Sequence, residues 1–470
     1  MKNDIIQLEI TDITPEGFGV GRSGGKVVFV PDTAIGDFIE AKILKELKNH
    51  SFAKAESIIT PSADRVASDC EVSAKCGGCV FRHISYNAEQ KLKKSFVSGA
   101  LSRIGGLEIP VGETVFGFEH EYRNKVQYPF APDANGKCIF SYYARRSHRI
   151  VEHKKCPLQD KIFTDIAAFC AETANRLGIK AYDEAGGKGI LRHLVMRKNR
   201  RGELLLCLVV AENTKTLEKL ASAVKERFFE VIGIHININK RRDNVIFGEK
   251  TFCLFGKETL TDTLCGKSFE LSPRAFYQVN AEMAEKLYNK AASYIPKKEE
   301  GSVILDLYCG AGTIGLCVAG GNDKLCGVEI IEDAVVNARK NAKLNQRSKE
   351  NTLFVCGDAS VGVKKCRERF GNPEIIIVDP PRKGLDIEVI NTVVSASPER
   401  VIYISCDPAT LARDCAELEK RGYKAQEATP FDLFPRTGHV ESVVCLSREK
   451  ADDYVRISVH TKDLKASQEQ

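Results

Sequence analysis

From about residue 271 the chain falls into a rhythm that few folds can accommodate. Short apolar runs alternate with helical stretches, the runs being Val303 to Tyr308, Leu325 to Ile330, Leu353 to Cys356, Ile375 to Val378 and Val401 to Ser405. Strands apolar on both faces must be covered on both, and intervening helices supply that cover, so the pattern predicts a parallel doubly wound sheet. Upstream, residues from about 120 to 265 alternate apolar and polar side chains, as in Lys125 to Phe130, Leu191 to Arg197, Leu204 to Ala211 and Gly233 to Asn239. That period predicts a mainly antiparallel α+β region with helices near Phe163–Leu177 and Thr216–Phe228, preceded by a helix from Ala88 to Ile104. The first 60 or so residues read as four short strands, Ile5 to Ile10, Lys26 to Val30, Phe38 to Leu44 and Phe52 to Ile59. Gly17 to Gly21 and Ser23-Gly24-Gly25 read as turns between them, which suggests a small OB-like barrel. The expected organisation is therefore a barrel over 1–62, a central α+β region over 63–270, a Rossmann-like α/β domain over 271–449, and a polar tail over 450–470.

At 470 residues, several domains are required. The start, Met1-Lys2-Asn3-Asp4, leads into an alternating stretch and not an apolar signal core, and no run of about 18 uncharged apolar residues occurs. We expect a cytoplasmic protein with no membrane contact, monomeric by default. The net charge of +6, from 69 basic and 63 acidic residues, permits a polyanionic partner without demanding one. Clustering is more telling: Arg145-Arg146-Ser147-His148-Arg149, Arg197-Lys198-Asn199-Arg200-Arg201 and Lys240-Arg241-Arg242 look like a phosphate-binding footprint.

Asp306-Leu307-Tyr308-Cys309-Gly310-Ala311-Gly312-Thr313-Ile314-Gly315 follows the first apolar run and opens a helix, with glycines that let the backbone approach a ligand. Glu329, ending the next strand, is placed to accept ribose hydroxyls, and Asp358 after the third can reach an adenine. The glycine spacing does not itself exclude a dinucleotide. Asp306 argues against a phosphate and for the cationic methionine end of S-adenosylmethionine, and Asp379-Pro380-Pro381 after the fourth strand is a turn that methyltransferases of this sheet type place beside the transferred methyl.

After the fifth strand comes Tyr403-Ile404-Ser405-Cys406-Asp407-Pro408. A cysteine at the carboxyl edge of such a sheet can add to carbon 6 of a uracil, turning carbon 5 into a nucleophile. A base must then remove the carbon 5 proton before the thiol is expelled. The helix after Pro408 is expected to aim its N-terminus at Cys406 and favour a thiolate. For an isolated cysteine a structural role is the commoner alternative.

Ser405-Cys406-Asp407-Pro408-Ala409-Thr410-Leu411-Ala412-Arg413-Asp414, together with His439-Val440-Glu441-Ser442-Val443 and Ser272-Pro273-Arg274-Ala275-Phe276-Tyr277-Gln278-Val279-Asn280, resembles the motifs of the RNA uracil-5-methyltransferase family. The resemblance spans essentially the whole chain, and the first 60 residues resemble that family's RNA-binding TRAM domain. It implies a class I S-adenosylmethionine-dependent methyltransferase with Cys406 as nucleophile and Glu441 as proton-abstracting base. By the same resemblance Gln278, Tyr308, Thr313, Glu329 and Asp358 bind cofactor and Asp379 lies beside the reacting centre. Glu441 is known only from the resemblance, since a carboxylate at the start of a late strand is usually a surface residue.

Most of the 17 cysteines, such as Cys207, Cys253, Cys317 and Cys326, sit in apolar runs and read as small core residues. Cys70, Cys76 and Cys79, with Cys156 in Lys155-Cys156-Pro157-Leu158, are a candidate four-thiol metal site suited to zinc or to an iron–sulfur cluster. The spacing resembles the [4Fe–4S] site of the family's ribosomal branch, with a structural role in the RNA-binding region implied. Barrel and cysteines together imply 23S ribosomal RNA as substrate, with transfer RNA the alternative. Arg123 and Lys125 are expected near the substrate strand. An exocyclic-amine methyltransferase is disfavoured because Arg382, and not an aromatic residue, follows the two prolines.

Overall fold

The computed structural model describes residues 3–449, so the expected polar tail lies outside the described residues. Strands β1 (Ile5–Ile13), β2 (Phe18–Ser23), β3 (Lys26–Pro31), β4 (Phe38–Glu46) and β5 (His50–Thr60) close into a barrel in the order β1-β2-β3-β5-β4. Alternate residues, among them Leu8, Ile10, Val28, Val30, Ile39 and Ala53, fill its interior. The stretch read as a turn at Gly17 to Gly21 is mostly strand β2. Its glycines serve close approach, since a Cβ on Gly19 would overlap Thr33 and one on Gly21 would crowd the Glu9 carbonyl.

Helix α1 (Tyr86–Ala100) starts at Ser85, whose side chain accepts from the Ala88 amide, and ends in a π turn over Leu101–Gly105. Val97, Ala100 and Leu101 pack into the core of the C-terminal sheet and not into the central region. The central region holds β6 (Lys125–Pro132), β7 (Cys138–Phe140), the ribbon β8 (Tyr142–Tyr143) and β9 (Ile150–Val151), α2 (Lys161–Arg176), β10 (Leu191–Lys198), β11 (Leu204–Val210), α3 (Lys215–Arg227), β12 (Val231–Ile238) and β13 (Lys250–Gly256). Its six-stranded sheet runs β13-β12-β11-β10-β6-β7, antiparallel except where α3 carries the chain from β11 to a parallel β12. Helices α2 and α3 bury Phe163, Ile166, Leu217 and Leu220 against it.

A hairpin, β14 (Leu260–Leu264) and β15 (Lys267–Leu271), precedes the C-terminal half, and its Leu264, Phe269 and Leu271 join that half's core. There follow α4 (Ala281–Ser293), β16 (Val303–Leu307), α5 (Thr313–Val318), β17 (Lys324–Glu329), α6 (Glu332–Leu344), β18 (Thr352–Cys356), α7 (Ala359–Phe370), β19 (Ile375–Val378), α8 (Ile387–Ala396), β20 (Arg400–Ser405), α9 (Pro408–Glu419), β21 (Tyr423–Phe431) and β22 (Glu441–Arg448). The sheet order is β18-β17-β16-β19-β20-β22-β21, with five parallel strands and β22 antiparallel to both neighbours. Strand order reverses between β16 and β19, so the crevice for a ligand opens at their carboxyl ends. Among the described residues no helix is long and apolar enough to cross a membrane. Cys207 and Cys326 are buried as expected of core residues, whereas Cys253 and Cys317 are only half-buried.

Candidate active site

The turn after β16 is built by close backbone approach. Tyr308 (φ 63°), Gly310 (φ 54°) and Gly312 (φ 77°) all take left-handed conformations, and a Cβ on Gly312 would press on the Phe354 ring. Two carboxylates brace the turn. Glu329 Oε2 accepts from the Gly310 amide at 3.2 Å while its Oε1 accepts from Ile331. Asp306 Oδ2 accepts from the Gly315 amide at 2.9 Å, but Asp306 Oδ1 is buried with no partner. Burial, with Asp379 and Glu329 nearby, pushes the Asp306 carboxyl up to about 8. A buried acid with an idle oxygen is a receptor for a cation or a hydrogen-bond donor.

Tyr288 on α4, missed in the sequence, gathers the next group. Its buried hydroxyl bonds with Gln278 and Thr313 and lies in the field of Asp379, and burial raises it well above the ordinary tyrosine range. At i, i+4 spacing from Ala284 on the core-facing side of α4, it reads as an ordinary core aromatic, so no sequence signal sets it apart. Gln278 is held from behind, its carbonyl accepting from Asn124 Nδ2 at 2.9 Å. Asp358 is exposed at the N-terminus of α7, its Oδ1 accepting from Val361 and from Ser360.

Cys406, Asp379 and Glu441 meet at the ends of β20, β19 and β22. Burial pushes Asp379 to about 7. Glu441 is 6% exposed, and burial with Asp379 pushes it to about 8 against the pull of Arg382. Burial, then Glu441 and Asp379, pushes the Cys406 thiol up to about 11. The expected helix-stabilised thiolate is therefore not what the fold provides. Asp407 caps α9, its Oδ1 accepting from Ala409 at 2.9 Å and Thr410 at 3.0 Å, so those amides turn to a carboxylate and not to the sulfur. Behind the motif, Asp414 accepts from Leu385 N at 2.7 Å and Tyr403 OH at 2.6 Å, tying the turn after β19 to α9. Arg382 reaches the ring edge of His439 at 3.4 Å. Sequence alone marks neither Asp414 nor Arg382 as a site residue.

Cys70, Cys76, Cys79 and Cys156 line a hollow of about 530 Å³. Among the described residues no set of His, Cys, Asp or Glu side chains converges as a metal-ion site. The wall is strongly cationic, with Arg82, Arg123, Arg145, Arg146 and Lys155 against one carboxylate, Glu16. Nε of Arg82, Arg123 and Arg145 and Nη2 of Arg82 are buried without partners. Room for several atoms, four thiols and idle guanidinium donors fit a larger anionic group. Arg123, expected at the substrate strand, instead faces this hollow. Lys125 is half-buried over the Phe247 ring, and burial, then Arg197, brings it down to about 8. The basic clusters are partly absorbed internally: Arg197 donates to the Ala275 carbonyl, Arg200 pairs with Glu285, Arg201 with Glu203 and Arg241 with Asp243.

The family model described as tRNA (Uracil-5-)-methyltransferase matches residues 203–449, and that of the TRAM domain matches residues 1–55. An uncharacterized RNA methyltransferase of Listeria monocytogenes is 39% identical over 95% of this chain and 98% of its own length. One from Clostridium tetani is 36% identical over 95% and 97%. The crystal structure of Pyrococcus abyssi tRNA (uracil-54, C5)-methyltransferase in complex with S-adenosyl-L-homocysteine superposes over 94% of this chain and all of that one. Its TM-score is 0.74 at 24% identity, a likeness of fold.

Proposed function

Since the chain belongs to the tRNA (uracil-5-)-methyltransferase family, and so is an S-adenosylmethionine-dependent RNA uracil-C5 methyltransferase, we propose that it works through a covalent Cys406 adduct on a uridine of 23S ribosomal RNA. The observation that carries the mechanism is one half-buried thiol, Cys406, within the field of a buried carboxylate, Glu441, held up to about 8. S-adenosylmethionine, when bound, supplies the methyl group on a cationic sulfonium. Gln278 and Thr313, joined through Tyr288, would hold its methionine end together with Asp306. Tyr308 and Glu329 would hold the ribose, Asp358 the adenine, and Asp379 would border the reacting centre. The target uridine leaves its stack to reach Cys406. Cys406 Sγ then bonds to carbon 6, its proton passing to a neighbouring carboxylate. After carbon 5 is methylated, Glu441 takes the carbon 5 proton, the carbon 5–carbon 6 double bond re-forms, and the sulfur leaves with its electron pair.

Cys70, Cys76, Cys79 and Cys156 would carry a [4Fe–4S] cluster, which shapes the RNA-binding region and takes no part in methyl transfer. Its resemblance to the ribosomal branch supports ribosomal RNA over transfer RNA; the fold does not divide the two, since the archaeal transfer RNA enzyme shares it. RNA carrying 5-fluorouridine, incubated with protein and S-adenosylmethionine, tests the reading, because fluorine cannot leave as a proton. A band shifted on a denaturing gel with ribosomal RNA, and absent in Cys406→Ala, is expected. A shift only with transfer RNA would reassign the substrate, and methyl transfer with no shift on either RNA would overturn the covalent mechanism.

A further inference from the structure

The segment that delivers Glu441, residues 432–440 between β21 and β22, has few bonds to its own sheet and many to distant parts of the chain. Asp432 is fully buried and accepts from Tyr86 and Gln90 at 2.9 Å each and from Lys93. Arg436, two residues before the Gly438 that leads to His439, is the densest node. Its amide donates to Glu89 at 2.7 Å. Its carbonyl accepts from Val80 at 2.9 Å and Phe81 at 3.3 Å, the residues immediately after Cys79. Its guanidinium donates to the Ile84 carbonyl at 2.9 Å, pairs with Glu119, and lies 5.3 Å over the Tyr86 ring. Arg436 is 8% exposed and held at φ 69°, a left-handed conformation that a non-glycine residue keeps only where its surroundings impose it. At Gly438 the barrel itself closes in, since a Cβ there would overlap the Pro15 carbonyl.

From this convergence we infer that Arg436 is a positioning residue for the second half of the reaction: through it and the Gly438–Pro15 contact, the cysteine loop and the barrel hold Glu441 where the carbon 5 proton emerges. The inference rests on the Cys406–Glu441 reading above. Sulfur addition and methyl transfer draw on groups at the ends of β16, β19 and β20, which Arg436 does not touch. Proton removal draws on β22, whose entry it anchors. In that last step the carbon 5–hydrogen bond breaks, the proton goes to a Glu441 oxygen, the electron pair forms the carbon 5–carbon 6 double bond, and the carbon 6–sulfur pair returns to Cys406. A misplaced Glu441 stalls the chain of events with RNA still attached.

The test uses full-length protein, S-adenosylmethionine, and one substrate RNA prepared with ordinary uridine and with 5-fluorouridine. Arg436→Ala and Gly438→Ala should lower turnover by about 100-fold, the scale of a 1 Å misplacement. Both should still trap 5-fluorouridine RNA at a rate near wild type, and both should accumulate a methylated adduct with ordinary uridine. Arg436→Lys, which keeps the charge, should recover part of the turnover. Gly438→Ala keeps the inference testable if Arg436→Ala does not fold. Trapping that falls in step with turnover, or variants that turn over like wild type, would overturn the positioning role alone. A wild-type protein that traps no adduct would remove the Cys406–Glu441 reading and this inference with it.

Discussion

The molecule holds two thiol-bearing sites with contrasting surroundings. Around Cys70, Cys76, Cys79 and Cys156 stand Arg82, Arg123, Arg145, Arg146 and Lys155, with guanidinium nitrogens left idle. Around Cys406 stand Asp379 and Glu441, whose carboxyls burial raises to about 7 and about 8, with Asp306 and its idle oxygen near the end of β16. Burial raises the thiols in both places, Cys156 and Cys406 each to about 11, so burial does not distinguish them. The surrounding charge does. Idle donors call for an anion, and idle acids call for a cation such as a sulfonium. A cysteine's neighbours, more than its own exposure, set the two sites apart.

The sharpest way to break that contrast is to remove one thiol from each site. Cys406→Ala should lower turnover by about 10⁴-fold or more, the scale seen when a nucleophile is deleted, with S-adenosylmethionine binding by calorimetry unchanged. Cys156→Ala should instead give colourless, poorly soluble protein. A brown and fully active variant would show that Cys156 is not a ligand.

The acid-rich site can be tested by pH. Asp306 keeps its proton up to about 8 in the folded chain but only to about 4 when unfolded, so the folded state binds more protons in between. Stability of the ligand-free protein should therefore fall as pH rises through that window, and Asp306→Asn should remove part of the fall. At about pH 8.5 that variant should be more stable by on the order of 2 kcal/mol, read as a rise in Tm. Its affinity for S-adenosylmethionine should drop, and the wild-type affinity should tighten as pH rises toward about 8. A pH-independent Kd would mean that Asp306 does not face the cation. The smallest effect is expected outside both sites. Arg201→Ala removes an exposed pair with Glu203 and should shift stability by less than about 1 kcal/mol, leaving the RNA-binding salt slope almost unchanged.

The parallel sheet was legible because apolar runs of this spacing have one economical packing, and the Gly310–Gly312 turn because its geometry excludes most side chains. The second strand of the barrel was not, because glycine signals a turn and a close strand contact with the same letter. The thiolate expectation at Cys406 failed because burial, with Glu441 and Asp379 close by, raises the thiol, while Asp407 takes the helix amides for itself. Arg123 illustrates the limit of charge clustering: sequence shows a cation next to a strand, and only the fold shows that it points at thiols. Tyr288 and Arg436 act through partners about ten to several hundred residues away, and no local pattern encodes that.

The contact of Pro15 with Gly438 joins opposite ends of the described chain. A ribosome delivers the barrel first, and domains fold largely as they emerge. The surface around Pro15 therefore has to wait, exposed, through the synthesis of nearly everything else before its partner appears. Methylation competence then waits until residues 438–441 have emerged. A truncated product, however well its barrel grips RNA, carries no assembled centre with which to modify it.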